Sequence, residues 1–373
     1  MRACANHLYQ LAVGASFACA VAAAGGGFVQ IAAAAGPSIT IGLMSEATGP
    51  YAENGENCQR GWRAARDAFA PGDRAGVHAV RFVFADSQGD AKTGVSEFRH
   101  LTENEHAQAV LTTRSQVGMA VNPLSRRAKI PLLGTVGHPD FVRDNEYASR
   151  FYPTVKAESA ALVEKAHELK LRRFALITAE DQWMLALSDA FSQQLRESGG
   201  EVVGSWSILD SDANIASTVM RIKQADADAV FVNLGISQSG MVLKRLYELG
   251  VGKPLFTQFW GASKEAREAA GAAAMEGVIF VEADLRKPKF LKLLRNAYSD
   301  ERASAVTFSC YVALSTLLFT LKQNKHIDST ESLHAQLLKI REVELPDGTL
   351  MLRDREAQYD LTWKTVSRGD IIE

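Results

Sequence analysis

The sequence predicts an α/β chain folded as two similar lobes whose strand ends face each other. Three observations predict it. From Ser38 onward, strand-like and helix-like stretches alternate, the pattern of parallel sheets flanked by helices. Near Phe151-Tyr152-Pro153-Thr154 the alternation resets and then repeats. Between Gln108 and His138 the chain reads as one compact strand–helix–strand unit, which requires parallel strands and a right-handed crossover.

A chain of 373 residues is too long for one typical domain and suits two of moderate size. Apolar content of 47% and charged content of 23% describe an ordinary globular protein. The net charge of −2, with no basic run interleaved with aromatics, argues against a nucleic-acid partner. Residues 1–36 stand apart: Arg2 precedes an Ala-rich apolar stretch, and Ala33 and Ala35 offer an A-x-A cleavage site before Gly36-Pro37. That is the pattern of a secretory signal peptide, removed on export to the periplasm, and a lipid-anchored Cys19 is its alternative. Of four cysteines, Cys4 and Cys19 would leave with this segment. Cys58 and Cys310 remain; an oxidising compartment would let them pair, but their spacing does not demand it. No Cys/His cluster has metal-ligand spacing, and neither metal nor cofactor is expected.

Taken in order, Ile39–Leu43 is the first strand, Ala47–Pro50 a turn, and about Gly55–Phe69 a helix with Trp62, Ala65 and Phe69 on one face. Val80–Phe84 is a strand, and Ala91–Glu103 a helix burying Val95, Phe98 and Leu101. The central unit follows: an apolar run to Leu111, then Thr112-Thr113-Arg114-Ser115. Its helix carries Val117, Val121, Leu124 and Ala128 on one face, and its second strand ends at Gly134-Thr135-Val136-Gly137-His138. Past the reset, the predicted strands are Arg173–Thr178, Glu201–Trp206, Ala229–Val232, Pro254–Thr257 and Val278–Val281. The helices between them are Lys156–Leu169, Met184–Ser198, Ile215–Gln224 and Gly240–Leu249. Ala303–Lys322 is apolar enough to approach a membrane span, but its Ser and Thr residues mark a buried packing helix. A short helix at Leu333–Ile340 and a hairpin about Pro346-Asp347-Gly348 close the chain.

Both turns of the central unit lie at strand carboxyl ends, the edge where open α/β sheets bind ligands. Free N–H groups and hydroxyls at the helix start make an anion cradle there, although Ser115 also suits a plain N-cap.

From Ile39 to the C-terminus the chain resembles the type I periplasmic solute-binding proteins of the leucine/isoleucine/valine-binding family. The match is carried by IGLMSEATGPYAENG, by FADSQGDAKTGV (close to the family's D-x-x-x-D-P, with Ala91 for the proline), by Phe151–Thr154, by Gly235–Leu243 and by Cys310–Leu314. The resemblance implies two Rossmann-like lobes joined by three hinge strands, closing over a small solute in the cleft between them. Residues 37–150 with about 303–330 would form lobe one, and 151–302 lobe two. Residues 331–373 would add a helix and hairpin near the hinge. It also implies the site. In lobe one the family's carboxylate-binding serine matches Ser115, with Thr113 and Arg114 beside it. The next contact falls in the turn Thr135-Val136-Gly137-His138, at His138 in direct alignment or at Thr135 with a gap. In lobe two, Trp183 matches an aromatic, Gly235 (with Ile236) replaces a tyrosine, and Phe259, between Gln258 and Trp260, replaces the ammonium-binding glutamate. The missing acid and the aromatic Trp183, Phe259 and Trp260 point to a carboxylate or amide with an apolar body, although both Phe259 and Trp260 also suit a core, and Arg114 a solvated surface. Asp181 or Glu180 could replace the acid from a neighbouring loop.

Nucleophile-elbow, P-loop, dinucleotide-binding and zinc-hydrolase motifs are absent, which argues against an enzyme. The resemblance implies the extracytoplasmic binding subunit of an ABC importer, a monomer working with a permease and an ATPase. Its alternative is a ligand-sensing component with the same fold.

Overall fold

The structure, a computed structural model, describes residues 38–208, 215–300 and 302–372. The leader with Cys4 and Cys19, and the cleavage expected there, lie outside these residues.

Lobe one runs β1 (Ser38–Ser45), α1 (Ala52–Phe69), β2 (Arg74–Ala75), β3 (His78–Asp86), α2 (Ala91–Arg99), β4 (Ala109–Thr113), α3 (Ser115–Ala128), β5 (Leu132–Thr135) and β6 (Ala148–Arg150). Lobe two follows as α4 (Val155–Glu168), β7 (Arg173–Ala179), α5 (Gln182–Glu197), β8 (Glu201–Ile208), α6 (Ile215–Gln224), β9 (Ala229–Asn233), α7 (Ile236–Glu248), β10 (Leu255–Gln258), α8 (Lys264–Ala270), α9 (Ala272–Met275) and β11 (Ile279–Ala283). In each lobe the parallel core has one order, β3-β1-β4-β5-β6 in the first and β8-β7-β9-β10-β11 in the second. The first core strand of each lobe therefore sits inside its sheet, and the chain reverses direction across the sheet beside it. Such switch points, β1/β4 and β7/β9, leave a crevice at the carboxyl ends. Strands covered on both faces explain the unbroken apolar runs: every residue of β4 and of β9 is buried.

The last third of the chain ties the lobes together. Helix α10 (Pro288–Tyr298) was expected in neither lobe's pattern, and residues 288–300 were assigned to lobe two. Instead it packs on α1, where buried Arg60 pairs with Asp300 and lies 4.3 Å over the Tyr298 ring. Helix α11 (Ala305–Gln323) is buried along nearly its whole length against α1. A Cβ at Gly61 would lie 2.1 Å from the Thr307 carbonyl oxygen, so this crossing needs glycine. The same crossing holds the disulfide Cys58–Cys310. After α12 (Thr330–Leu337), the predicted hairpin forms as β12 (Glu342–Leu345) and β13 (Gly348–Arg353), and it extends the sheet of lobe one through β14 (Glu356–Ala357). A second hairpin, β15 (Leu361–Ser367) with β16 (Asp370–Ile372), was not foreseen; it adds antiparallel to β11 in lobe two. The chain thus crosses between lobes three times, and the crossings are bonded to one another. The Tyr359 hydroxyl donates to the Phe151 carbonyl (3.0 Å), and the Asp284 N–H to the Asp360 carbonyl (2.8 Å).

Helix α7 starts at Ile236, not at Gly240 as the sequence suggests. Gly240 is a packing residue rather than a start signal: a Cβ there would lie 2.7 Å from Ala269 Cβ on α8.

Glu158, buried on α4, makes stability depend on pH. Burial alone pushes its carboxyl up to about 8 from 4.5. A raised folded value favours the fold fully below pH 4.5, and that contribution disappears as pH rises through 8. Its loss is on the order of 5 kcal/mol. Urea unfolding should show wild type weakening from pH 5 to pH 9 more steeply than Glu158→Gln. Parallel profiles would refute the assignment.

Candidate functional site

The two switch points carry the site, and each is followed by a helix whose first turn no side chain caps. In lobe one, β4 leads through Arg114 into α3, whose first backbone bond runs from the Gly118 N–H to the Arg114 carbonyl (2.8 Å). The three preceding N–H groups are left to an outside acceptor. Ser115 is the first helical residue, half-buried, and not the N-cap that its alternative reading required. The capping position belongs to Arg114, held at φ +59°, ψ 136°, a backbone region that side chains other than glycine rarely occupy. Strain of this kind concentrates at functional turns. The Arg114 guanidinium is not freely solvated: it lies 3.3 Å over the Tyr51 ring.

Sequence reasoning missed Glu46. It follows β1 and is fully buried; its carboxylate accepts from the Thr113 hydroxyl and from the Asn54 amide. Burial raises its pKa, opposed by those two hydrogen bonds and by Arg114. Glu46 thus sets an acid beside the anion cradle of lobe one, with Thr113 as its partner. Nothing local marks Glu46, because only the sheet order sets β1 beside β4.

The next turn also differs from expectation. The Thr135 hydroxyl lies 3.4 Å from Cys310 Sγ and Thr135 is buried, so it supports the core side of the turn rather than a ligand. Val136 is fully buried, and its side chain would meet a Cβ placed on Gly118 or Gly134. His138 was expected, in direct alignment, as the second contact for the anion. Burial lowers its pKa, aided by Arg150 and Arg143 and opposed by Asp181, so at neutral pH the ring is uncharged. Its Nδ1 accepts from the Asp140 N–H (3.2 Å), which leaves Nε2 as the donor. Buried Arg150 fixes this turn by donating to the His138 carbonyl (2.8 Å) and to Glu356 (2.6 Å).

Across the cleft, Trp183 stands in the first turn of α5 and is 3% exposed. Its indole rests on Gly137 of lobe one: a Cβ there would lie 2.2 Å from Trp183 Nε1. The Trp260 ring is 5.2 Å from that of Trp183 and 5.8 Å from that of Phe259, so the three form one aromatic wall. Phe259 and Trp260 are half-buried. Gln258 is not a ligand contact: its Nε2 donates to the Leu234 carbonyl (2.7 Å) and its Oε1 accepts from the Trp260 N–H (2.6 Å). Asp181 caps α5, its Oδ1 accepting from the Trp183 and Met184 N–H groups, and Glu180 is exposed. Gly235 occupies the N-cap of α7 without a side chain, and Ile236 opens that helix half-buried.

Two α/β lobes with facing switch points, bonded crossings and an aromatic wall resting on the opposite lobe define a two-lobed binder of small solutes. The chain belongs to the periplasmic binding protein family, whose model matches residues 38–365. It is similar to the Leu/Ile/Val-binding protein homolog 3 of Brucella melitensis, 23% identical over 86% of this chain and 89% of that one. It shares its fold with an ABC transporter substrate-binding protein from Sphaerobacter thermophilus (TM-score 0.80, 22% identity, 88% and 94% of the two chains covered). It likewise resembles a branched-chain amino acid binding protein of Streptococcus pneumoniae solved with isoleucine (0.79, 18%, 90% and 97%) and an R. palustris solute-binding protein solved with benzoate (0.78, 19%, 90% and 95%). By family and by fold the protein is thus a periplasmic binding protein.

Proposed function

We propose that this protein captures a small carboxylate with an apolar, aromatic-compatible body and delivers it to an importer from the periplasm. The observation that carries the ligand class is the uncapped start of α3 at Ser115, set opposite a wall of Trp183, Phe259 and Trp260 that has no acid of its own. The carboxylate takes the free N–H groups and the Ser115 hydroxyl, where the helix dipole favours negative charge. The body lies against the indoles, and His138 donates from Nε2 without adding charge. Benzoate in one structural relative and isoleucine in another are the two chemistries to separate. The Cys58–Cys310 bridge supports an oxidising compartment and so export.

A second reading rests on Glu46. A buried carboxyl beside the cradle would bind the ammonium of an amino acid, from lobe one rather than lobe two.

Calorimetric titration with aromatic acids and with leucine, phenylalanine and valine decides between them. Aromatic acids without an amine should bind, and Ser115→Ala should weaken them at least tenfold, about 1.5–3 kcal/mol for one charge-assisted bond. Binding of the amino acids alone would overturn the first reading in favour of the second.

A further inference from the structure

Lobe two has its own uncapped helix start. Helix α7 is 13 residues long, begins after Gly235 at the β7/β9 switch point, and has no side-chain cap; its first backbone bond runs from the Ser239 N–H to the Gly235 carbonyl (2.8 Å). In its first turn stands Gln238, 5% exposed, with both Nε2 and Oε1 buried and unpartnered. Among the described residues no other side-chain amide is buried with both ends unpaired. An amide does not stay buried without partners at no cost, so a group that pairs with both ends is favoured there. The amide faces the open side of Gly235, where a Cβ would lie 3.7 Å from Oε1 and nothing else is within 4 Å. Leu234, the residue before Gly235, is tied through Gln258 to Trp260 and so to the aromatic wall, where Trp183 Nε1 is also buried and unpartnered.

We propose that Gln238 is the specificity-determining residue of lobe two and reads a neutral donor–acceptor group, a hydroxyl or carboxamide, on the end of the ligand remote from Ser115. The inference rests on the proposed function for the ligand's body and deepens it. A hydroxyl donates to Oε1 and accepts from Nε2 or from the helix N–H groups, which satisfies both ends. A second carboxylate only accepts, and it would leave its charge facing Oε1. A bare hydrocarbon leaves both ends unpaired.

The experiment is calorimetric titration of wild type and of Gln238→Met, a substitution close in shape, with two matched pairs: benzoate with 4-hydroxybenzoate, and phenylalanine with tyrosine. Terephthalate is the dicarboxylate control. In whichever pair binds, wild type should prefer the hydroxylated member at least tenfold and reject terephthalate. In Gln238→Met that preference should vanish, with the unhydroxylated member binding as before. Preference for tyrosine with no binding of either benzoate would sink the carboxylate reading and leave Gln238 in its role. Three results overturn the assignment of Gln238: a wild type that prefers no hydroxylated probe in either pair, one that binds terephthalate best, or a preference that survives the substitution. The wild-type arms decide even if the variant does not fold.

Discussion

Gly137→Val is expected to weaken solute binding at least a hundredfold while the protein remains folded. Gly137 lies where the lobes touch, and a Cβ at this position would fall 2.2 Å from Trp183 Nε1 and 2.4 Å from Cδ1. Contacts that close do not occur, so either the indole or the lobe must move. The indole cannot yield cheaply, because it is buried and packed beside Trp260. The lobes are then held apart, and a hinged binder that cannot close loses the contacts that its second lobe supplies. A hundredfold loss is about 2.7 kcal/mol, a moderate part of what a closed cleft provides. Titration measures the affinity. Small-angle scattering with saturating ligand should show the contraction of wild type and little in the variant. Unchanged affinity together with full contraction would show that the lobes meet elsewhere.

The second large effect concerns stability. Replacing Cys58 and Cys310 together by Ser should cost about 3–5 kcal/mol and lower Tm by roughly 4–8 °C, because the bridge joins residues 252 positions apart and so closes a very long loop in the unfolded chain. The bridge pins α1 to α11 at the crossing where Gly61 meets Thr307, and Thr135 rests on its sulfur. A few-fold loss of affinity should follow as the turn of Gly137 and His138 loosens. Calorimetric melting with and without reductant tests the first part. Thiol titration of freshly isolated protein tests the compartment: two free thiols in the native chain would count against both the bridge and export. A double variant that melts within a degree of wild type would show that the crossing holds itself.

Much of the architecture was legible in the sequence because its signals are local and periodic. Apolar runs of strand length alternate with helical faces twice, and Phe151-Tyr152-Pro153-Thr154 marks the first crossing. The central unit from β4 to β5 was placed correctly for the same reason, as was the buried character of α11, whose Ser and Thr residues are buried against neighbouring elements. Trp183 and Trp260 also stand together in the wall that their positions after β7 and β10 imply.

What only the tertiary structure decided depends on pairings between distant segments. Sheet order placed β1 beside β4 and thereby brought Glu46 onto Thr113, a buried acid that no local pattern announces. Burial and the neighbouring arginines lower the pKa of His138, and the Arg114 guanidinium stacks on the Tyr51 ring. Backbone groups claimed the Gln258 amide and the Asp181 carboxylate, while Gln238, one turn along a helix that starts earlier than its glycine suggested, was left with both ends unpaired. The pairing of Cys58 with Cys310, which their spacing left open, follows from the packing of α1 on α11, which brings their Cα atoms to 5.2 Å. Residue type determines what a side chain can do. Which partner reaches it first, and how much water remains beside it, are properties of the folded neighbourhood.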